Sequence, residues 1–243
     1  MEIDGKVALV TGAAKRVGRS IALALAERGA ELVVHYHGSE REAHEVLARA
    51  KQWGRKPVAA CADLSRSADI DALVETAVRA FGRIDILVNS AAIFYRTPFA
   101  TVTEADWDRF LTVNLKAPFL LCRRAGELMS RQGSGKIVNV ADIAGAKVWA
   151  EYIPYSISKA GLLSLTTGLA KALAPAVQVN AIAPGTVLLP DGSSAEERVR
   201  ALARVPLQRL GSPEDIARAA LYLIQSDFVT GEVLTVDGGQ RLV

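Results

Sequence analysis

The sequence predicts an α/β fold, a doubly wound parallel sheet with helices on both faces, on three observations. Short runs of apolar and β-branched residues alternate with longer segments of helical period. These runs are apolar at successive positions, as strands buried on both faces require. A glycine-rich turn joins the first strand to the first helix. Right-handed crossovers then select the doubly wound arrangement.

Val7–Val10 reads as the first strand. Ser20 to Arg28 reads as a helix with Ile21, Leu23, Ala24 and Leu25 on it and Gly29 as its stop. Leu32–Val34 is the second strand, and Glu40 to Trp53 an exposed helix of mixed charge. Pro57–Ala60 is the third strand, followed by a helix from Ser67 to Phe81. Ile86–Val88 is the fourth, followed by helical stretches at Glu104–Leu111 and Ala117–Met129. Lys136–Val140 is the fifth, and Tyr155 to Leu173 is a helix ending near Pro175. Val177–Ile182 is the sixth strand and Val233–Val236 the seventh. No repeat or low-complexity linker divides the chain, so 1–243 reads as one domain. Ligands of such sheets bind beyond the carboxyl ends of the strands.

Composition narrows the class. The 243 residues are 50% hydrophobic with a net charge of +3, which excludes disorder. The two cysteines, Cys61 and Cys122, match no zinc or redox spacing and fit a reducing, cytoplasmic compartment. No metal site is expected. Met1–Asp4 has no basic start before an apolar run, so no signal peptide is expected. The long uncharged stretch from Ala172 to Pro190 contains several prolines and does not read as a membrane helix. A pI near 8.9 raises the question of nucleic acid, but the basic residues are interspersed with acids.

Thr11 to Arg19 follows the first strand and contains Gly12 and Gly18. Glycines let the backbone approach a phosphate, and the next helix aims its amides at the anion. Five residues separate these glycines and Arg19-Ser20 follows, which is not P-loop spacing. A purely structural turn is the other reading of this loop. After the second strand the chain runs His35-Tyr36-His37-Gly38-Ser39, with no carboxylate before Glu40 to take a ribose hydroxyl. Lys15, Arg16, His37 and Ser39 suit a 2′-phosphate instead, so NADPH is expected over NADH. A solvated basic turn is the alternative there.

Tyr155 and Lys159 lie four apart, on one helix face at the mouth of the sheet. An ammonium beside a phenol lowers its pKa from about 10, making the tyrosine a usable proton donor.

Together, Thr11–Gly18, Asn89-Ser90-Ala91-Ala92, Asn114, Tyr155 with Lys159, and Pro184-Gly185 resemble the short-chain dehydrogenase/reductase family, over essentially the whole chain. The resemblance implies a Rossmann-like seven-stranded sheet, hydride transfer with a nicotinamide cofactor (NADPH/NADP+), and a homotetramer. It implies that Tyr155 is the proton donor and that Lys159 binds the nicotinamide ribose. It implies that Asn114 holds a water in the proton relay. Asp63 and Leu64 would border the adenine. Gly12, Lys15, Arg16, Val17 and Gly18, with Asn89, Ser90 and Ala91, would line the cofactor, and Pro184, Gly185 and Thr186 would border its carboxamide.

The departures carry information. The family's catalytic serine stands 13 residues before the tyrosine, and here that position is Asp142. A serine donates to a carbonyl oxygen, whereas an ionised aspartate only accepts. Asp142 can accept from substrate N–H groups or, with a raised pKa, pass on a proton. That favours a C=N bond over a ketone. A plain turn role for Asp142 stays open. Arg16, His35-Tyr36-His37, Asp142 and Phe94-Tyr95-Arg96-Thr97-Pro98 together resemble the pteridine reductase branch of the family. That likeness implies that Phe94 stacks on a pterin or folate, as an aromatic face suits a flat heterocycle. Core packing is the alternative for Phe94. Trp149 and Tyr152 would border the pocket, and the stretch of about 187–207, including Asp191-Gly192-Ser193-Ser194, reads as a lid. The expected function is therefore NADPH-dependent pterin reduction. A carbonyl reductase, such as one acting on 3-oxoacyl thioesters, is the alternative enzyme. A non-catalytic NADP(H)-binding sensor is the alternative from another class.

Overall fold

A computed structural model describes residues 1–189 and 192–243. The strands β1 (Val7–Val10), β2 (Glu31–Tyr36), β3 (Val58–Cys61), β4 (Ile86–Asn89), β5 (Gly135–Val140), β6 (Val177–Pro184) and β7 (Val233–Val236) form one seven-stranded sheet. Its order is β3-β2-β1-β4-β5-β6-β7, and every neighbouring pair is parallel. The order reverses between β1 and β4, which opens a crevice there at the carboxyl ends of the strands. The doubly wound expectation is met.

The helices are α1 (Arg16–Glu27), α2 (Glu40–Lys51), α3 (Ser67–Phe81), α4 (Glu104–Leu111), α5 (Ala117–Gln132), α6 (Ile153–Leu173), α7 (Ala195–Leu202) and α8 (Pro213–Gln225). Leu25 of α1, Val46 of α2, Ile216 of α8 and strand residues such as Val10 and Val34 form one buried layer. Leu73 of α3, Leu121 of α5, Leu9, Leu87 and Val179 form the layer on the opposite face. No helix among the described residues is long and apolar enough to cross a membrane.

Several boundaries differ from the sequence reading for physical reasons. Helix α1 begins at Arg16 rather than Ser20; its first turn offers one apolar side chain, Val17, among two arginines and a glycine, a weak helix signal. Strand β6 continues through Pro184, where Pro184 lies opposite Val236. Helix α8 is absent from the sequence reading, although Ser212-Pro213-Glu214-Asp215 signals a helix start. Ser212 and Asp215 form a capping box and Pro213 sits in the first turn. Pro190 and Asp191, both in stretches singled out above, lie outside the described residues.

Two local devices aim the functional residues. Helices α4 and α5 are joined by a π-helical turn, Thr112–Lys116, with Asn114 buried at its centre. After β5 the chain makes a single 3-10 turn, Ile143–Gly145, that lies directly on α6. A Cβ on Gly145 would stand 2.9 Å from the Lys159 carbonyl carbon and 3.0 Å from the Ala160 nitrogen. Only backbone is there to yield. Gly145→Ala is therefore expected to cost about 1–3 kcal/mol, as overpacking does, read as a lower Tm in thermal unfolding.

Candidate active site

The glycine turn is built against the fourth strand. Gly12 has a φ of +64°, and a Cβ there would stand 2.9 Å from the Ala91 Cα. A Cβ on Gly18 would stand 2.2 Å from the Gly12 carbonyl oxygen, so both positions demand glycine. The Thr11 hydroxyl accepts from the Ser90 and Ala91 amides at 3.0 and 3.1 Å, tying the two loops together. The sequence reading did not single Thr11 out as a structural clamp.

Helix α1 opens at the crevice with Lys15 as an extended cap residue, no side-chain cap and no acid in its first turn. By contrast α4, α7 and α8 each carry a capping box with acids. An uncapped, acid-free helix start beside a glycine turn fits a dinucleotide pyrophosphate. Arg16 takes φ +53°, unusual for a side chain of its size, and its Nη2 donates to the Leu188 carbonyl at 3.2 Å. Val17 is half-buried beside it. His37 is exposed at the end of β2, and Ser39 caps α2 without a side-chain hydrogen bond. Lys15 lies nearby, 3.2 Å from Glu42. Asp63 accepts from the Ser65 amide at 2.9 Å, which holds its carboxyl below the usual range, and Leu64 is buried. On the far side of the crevice, Pro184 ends β6. Gly185 is pressed against Asp237, and Thr186 is held by Gln240.

Tyr155 and Lys159 sit in the first turns of α6, which Pro154 helps to start, and both are almost fully buried. The Tyr155 hydroxyl donates to Asp142 Oδ2 at 2.8 Å. Asp142 Oδ1 accepts from the Ala144 amide at 2.8 Å. Asp142 thus serves the turn and the tyrosine together. Lys159 Nζ donates to the Val140 carbonyl at 2.8 Å and lies 5.8 Å from the Tyr155 ring centre.

This arrangement corrects one expectation. The Tyr155 pKa is raised, not lowered. Burial, and then the Asp142 carboxyl, push Tyr155 well above the ordinary phenol value. Burial also raises Asp142 above the usual carboxylate range. Burial lowers Lys159 to about 8, against the pull of Asp142. The acid and the phenol are joined by a hydrogen bond and titrate as one coupled pair.

Two assigned residues have their side-chain amides engaged within the protein. Asn114 accepts from the Ile93 amide at 2.9 Å and donates to the Ile93 carbonyl and the Ser158 hydroxyl. Its side chain anchors the loop ahead of Phe94. Asn89 points into the core, donating to Asn139 at 2.8 Å and Cys122 at 3.2 Å. The Ser90 and Ala91 amides and side chains, not the Asn89 side chain, face the glycine turn.

An aromatic wall stands over Tyr155. Phe94, 48% exposed, stacks parallel on Tyr152 with centroids 4.8 Å apart, and meets Tyr155 edge-on at 4.8 Å. Trp149 lies 6.5 Å from Tyr155. Phe94 is a partly exposed face of this wall, not core filling. Its loop is clipped to that of Tyr152 by the Thr97 amide donating to the Glu151 carbonyl at 2.8 Å, and by an Arg96–Glu151 ion pair.

The chain matches a family model described as Enoyl-(Acyl carrier protein) reductase over residues 12–241. It is 38% identical to a hydroxy(phenyl)methylsuccinyl-CoA dehydrogenase subunit, BbsD, of Thauera aromatica, across 100% of this chain and 99% of that one. It is 36% identical to the 3-oxoacyl-acyl-carrier-protein reductase FabG of Staphylococcus aureus, across 98% of both chains. Among solved structures, a dehydrogenase/reductase from Sinorhizobium meliloti 1021 superposes with a TM-score of 0.92 at 35% identity, covering 98% of this chain and 97% of that one. Fold, full-length similarity and the tyrosine–lysine helix at the mouth of the sheet lead to one conclusion: the chain belongs to the short-chain dehydrogenase/reductase family of oxidoreductases.

Proposed function

We propose that this protein is an NADPH-dependent reductase of a C=N bond in a flat nitrogen heterocycle, of the dihydropterin or folate class. The observation that carries this reading is the hydrogen bond from Tyr155 to Asp142. A serine-type donor for a ketone oxygen is replaced by a group that accepts from N–H and shares a proton with the phenol. The wall of Phe94, Tyr152 and Trp149 supports a flat, π-rich substrate.

When bound, the dinucleotide supplies the hydride. The uncapped start of α1 and the glycine turn would hold its pyrophosphate. Lys15, Arg16, His37 and Ser39 would take a 2′-phosphate, which is the basis for preferring NADPH. Tyr155 then gives its proton to the substrate nitrogen, and Asp142 sets the energy of that transfer through the shared hydrogen bond. Lys159, fixed on the Val140 carbonyl, places positive charge beside the anion that Tyr155 becomes. A soluble cytoplasmic homotetramer is part of the same reading.

The named activities of the relatives support a second reading, reduction of a carbonyl such as that of a 3-oxoacyl thioester. One assay separates the two: follow NADPH absorbance with dihydrobiopterin, dihydrofolate or acetoacetyl thioester. Pterin turnover that falls roughly 100-fold or more in Tyr155→Phe is the expected result. Thioester turnover alone would select the carbonyl reading. Tight NADPH binding without turnover would select a sensor.

The raised pKa of Asp142 has a stability consequence. Its native pKa exceeds its unfolded value, so its contribution is full below about pH 4 and is lost as pH rises through the native value. Asp142→Asn is therefore expected to unfold at a higher temperature than the wild type near neutral pH. The two curves should converge toward about pH 4. Because turnover needs the proton on Tyr155, whose pKa is raised, wild-type kcat is expected to hold through neutral pH and to fall only in the alkaline range; a kcat profile against pH checks it.

A further inference from the structure

We infer that His35 is a positioning residue for the dinucleotide, its imidazole setting the amide of Gly12 at the start of the glycine turn. This rests on the cofactor site proposed above. His35 is the fifth residue of β2 and is 2% exposed. It makes two side-chain hydrogen bonds, each to a different loop at the crevice. The Gly12 amide reaches Nδ1 at 3.0 Å, and Nε2 lies 3.1 Å from the Ala62 carbonyl.

The geometry dictates the tautomer. An amide N–H only donates, so Nδ1 must be a lone-pair acceptor. A carbonyl only accepts, so Nε2 must carry the hydrogen. The ring is therefore neutral, consistent with burial lowering its pKa to about 4. The Ala62 contact anchors the ring, and the anchored ring aims its free lone pair at Gly12.

The glycine turn is held by this one residue at two successive amides. The backbone carbonyl of His35 also accepts from the Ala13 amide, at 2.9 Å. On its other side the turn is pressed against Ala91, where even a methyl on Gly12 would clash. Gly12 thus stands between an imidazole and a neighbouring backbone with its φ fixed at +64°. Without the acceptor, a largely buried N–H loses its partner and the peptide plane is free to rotate toward another one. Rotation of that plane, which carries the Thr11 carbonyl, changes the φ of Gly12 and so swings the following peptide, against whose oxygen Gly18 of α1 is packed. The start of α1, where the pyrophosphate would sit, moves with it.

The two contacts can be separated by substitution. His35→Asn places an amide oxygen where Nδ1 stands, keeping the acceptor for Gly12 and losing the anchor. His35→Gln places its amide where Nε2 stands, keeping the link to Ala62 and losing the acceptor. Both variants are neutral and polar, but Asn is a methylene smaller than Gln, so a generic packing role predicts the larger loss in His35→Asn. Measure NADPH binding by fluorescence titration and 2′,5′-ADP binding by calorimetry on wild type and both variants, with Tm as a check on folding. The expected result is an NADPH dissociation constant raised about tenfold in His35→Gln and within about threefold of wild type in His35→Asn. 2′,5′-ADP should follow the same order. Unchanged affinity in both variants, or a loss in His35→Asn equal to or larger than that in His35→Gln, overturns the role assigned to His35. Wild-type protein that binds neither NADPH nor 2′,5′-ADP overturns the cofactor reading itself, and His35's role with it.

Discussion

A carboxyl group and a phenol held 2.8 Å apart in a partly dry cavity resist both losing their protons. Much of the functional edge of this molecule is arranged around that constraint. The carboxyl comes from the turn after β5, and the phenol from the first turn of α6. They meet because Gly145 lets that turn lie on the backbone of α6. Lys159, one helical turn further on, is spent on a strand carbonyl and so contributes charge rather than a hydrogen bond to the phenol. The aromatic wall then shields the pair from the open side.

The fold was legible in the sequence because parallel strands buried on both faces advertise themselves as short unbroken apolar runs. Each strand was found, with ends off by a few residues. Helix α8 escaped although its start signals are plain, because its capping residues read equally well as the end of the polar, lid-like stretch before it. The first turn of α1 escaped for a simpler reason, since a single Val17 among two arginines and a glycine gives a weak periodic signal.

The site was legible in part. Asp142, Tyr155, Lys159 and Phe94 converge, and spacing plus resemblance pointed to them. What spacing could not give was direction. A lysine four residues after a tyrosine shares its helix face, yet here its ammonium reaches across to Val140 and the phenol pKa moves up, not down. Asn89 likewise turns its amide into the core toward Asn139 and Cys122. Thr11 and His35 act through backbone amides of other loops, contacts that leave no periodic or motif-like trace.

The π-helical turn at Thr112–Lys116 gives the chain a means of changing phase. One surplus residue in a helix rotates everything beyond it by about 100°. Phe110 before the turn can therefore face the tyrosine cavity, while Leu121 beyond it faces the sheet. A single continuous rod would have to compromise between those two directions. The insertion resolves the conflict at Asn114, whose amide takes up the one backbone segment, Ile93, that leads into the substrate wall. Length in this part of the chain is thus a variable in its own right. Shortening the rod by one residue would rotate α4 out of step with α5 even if every side chain were kept.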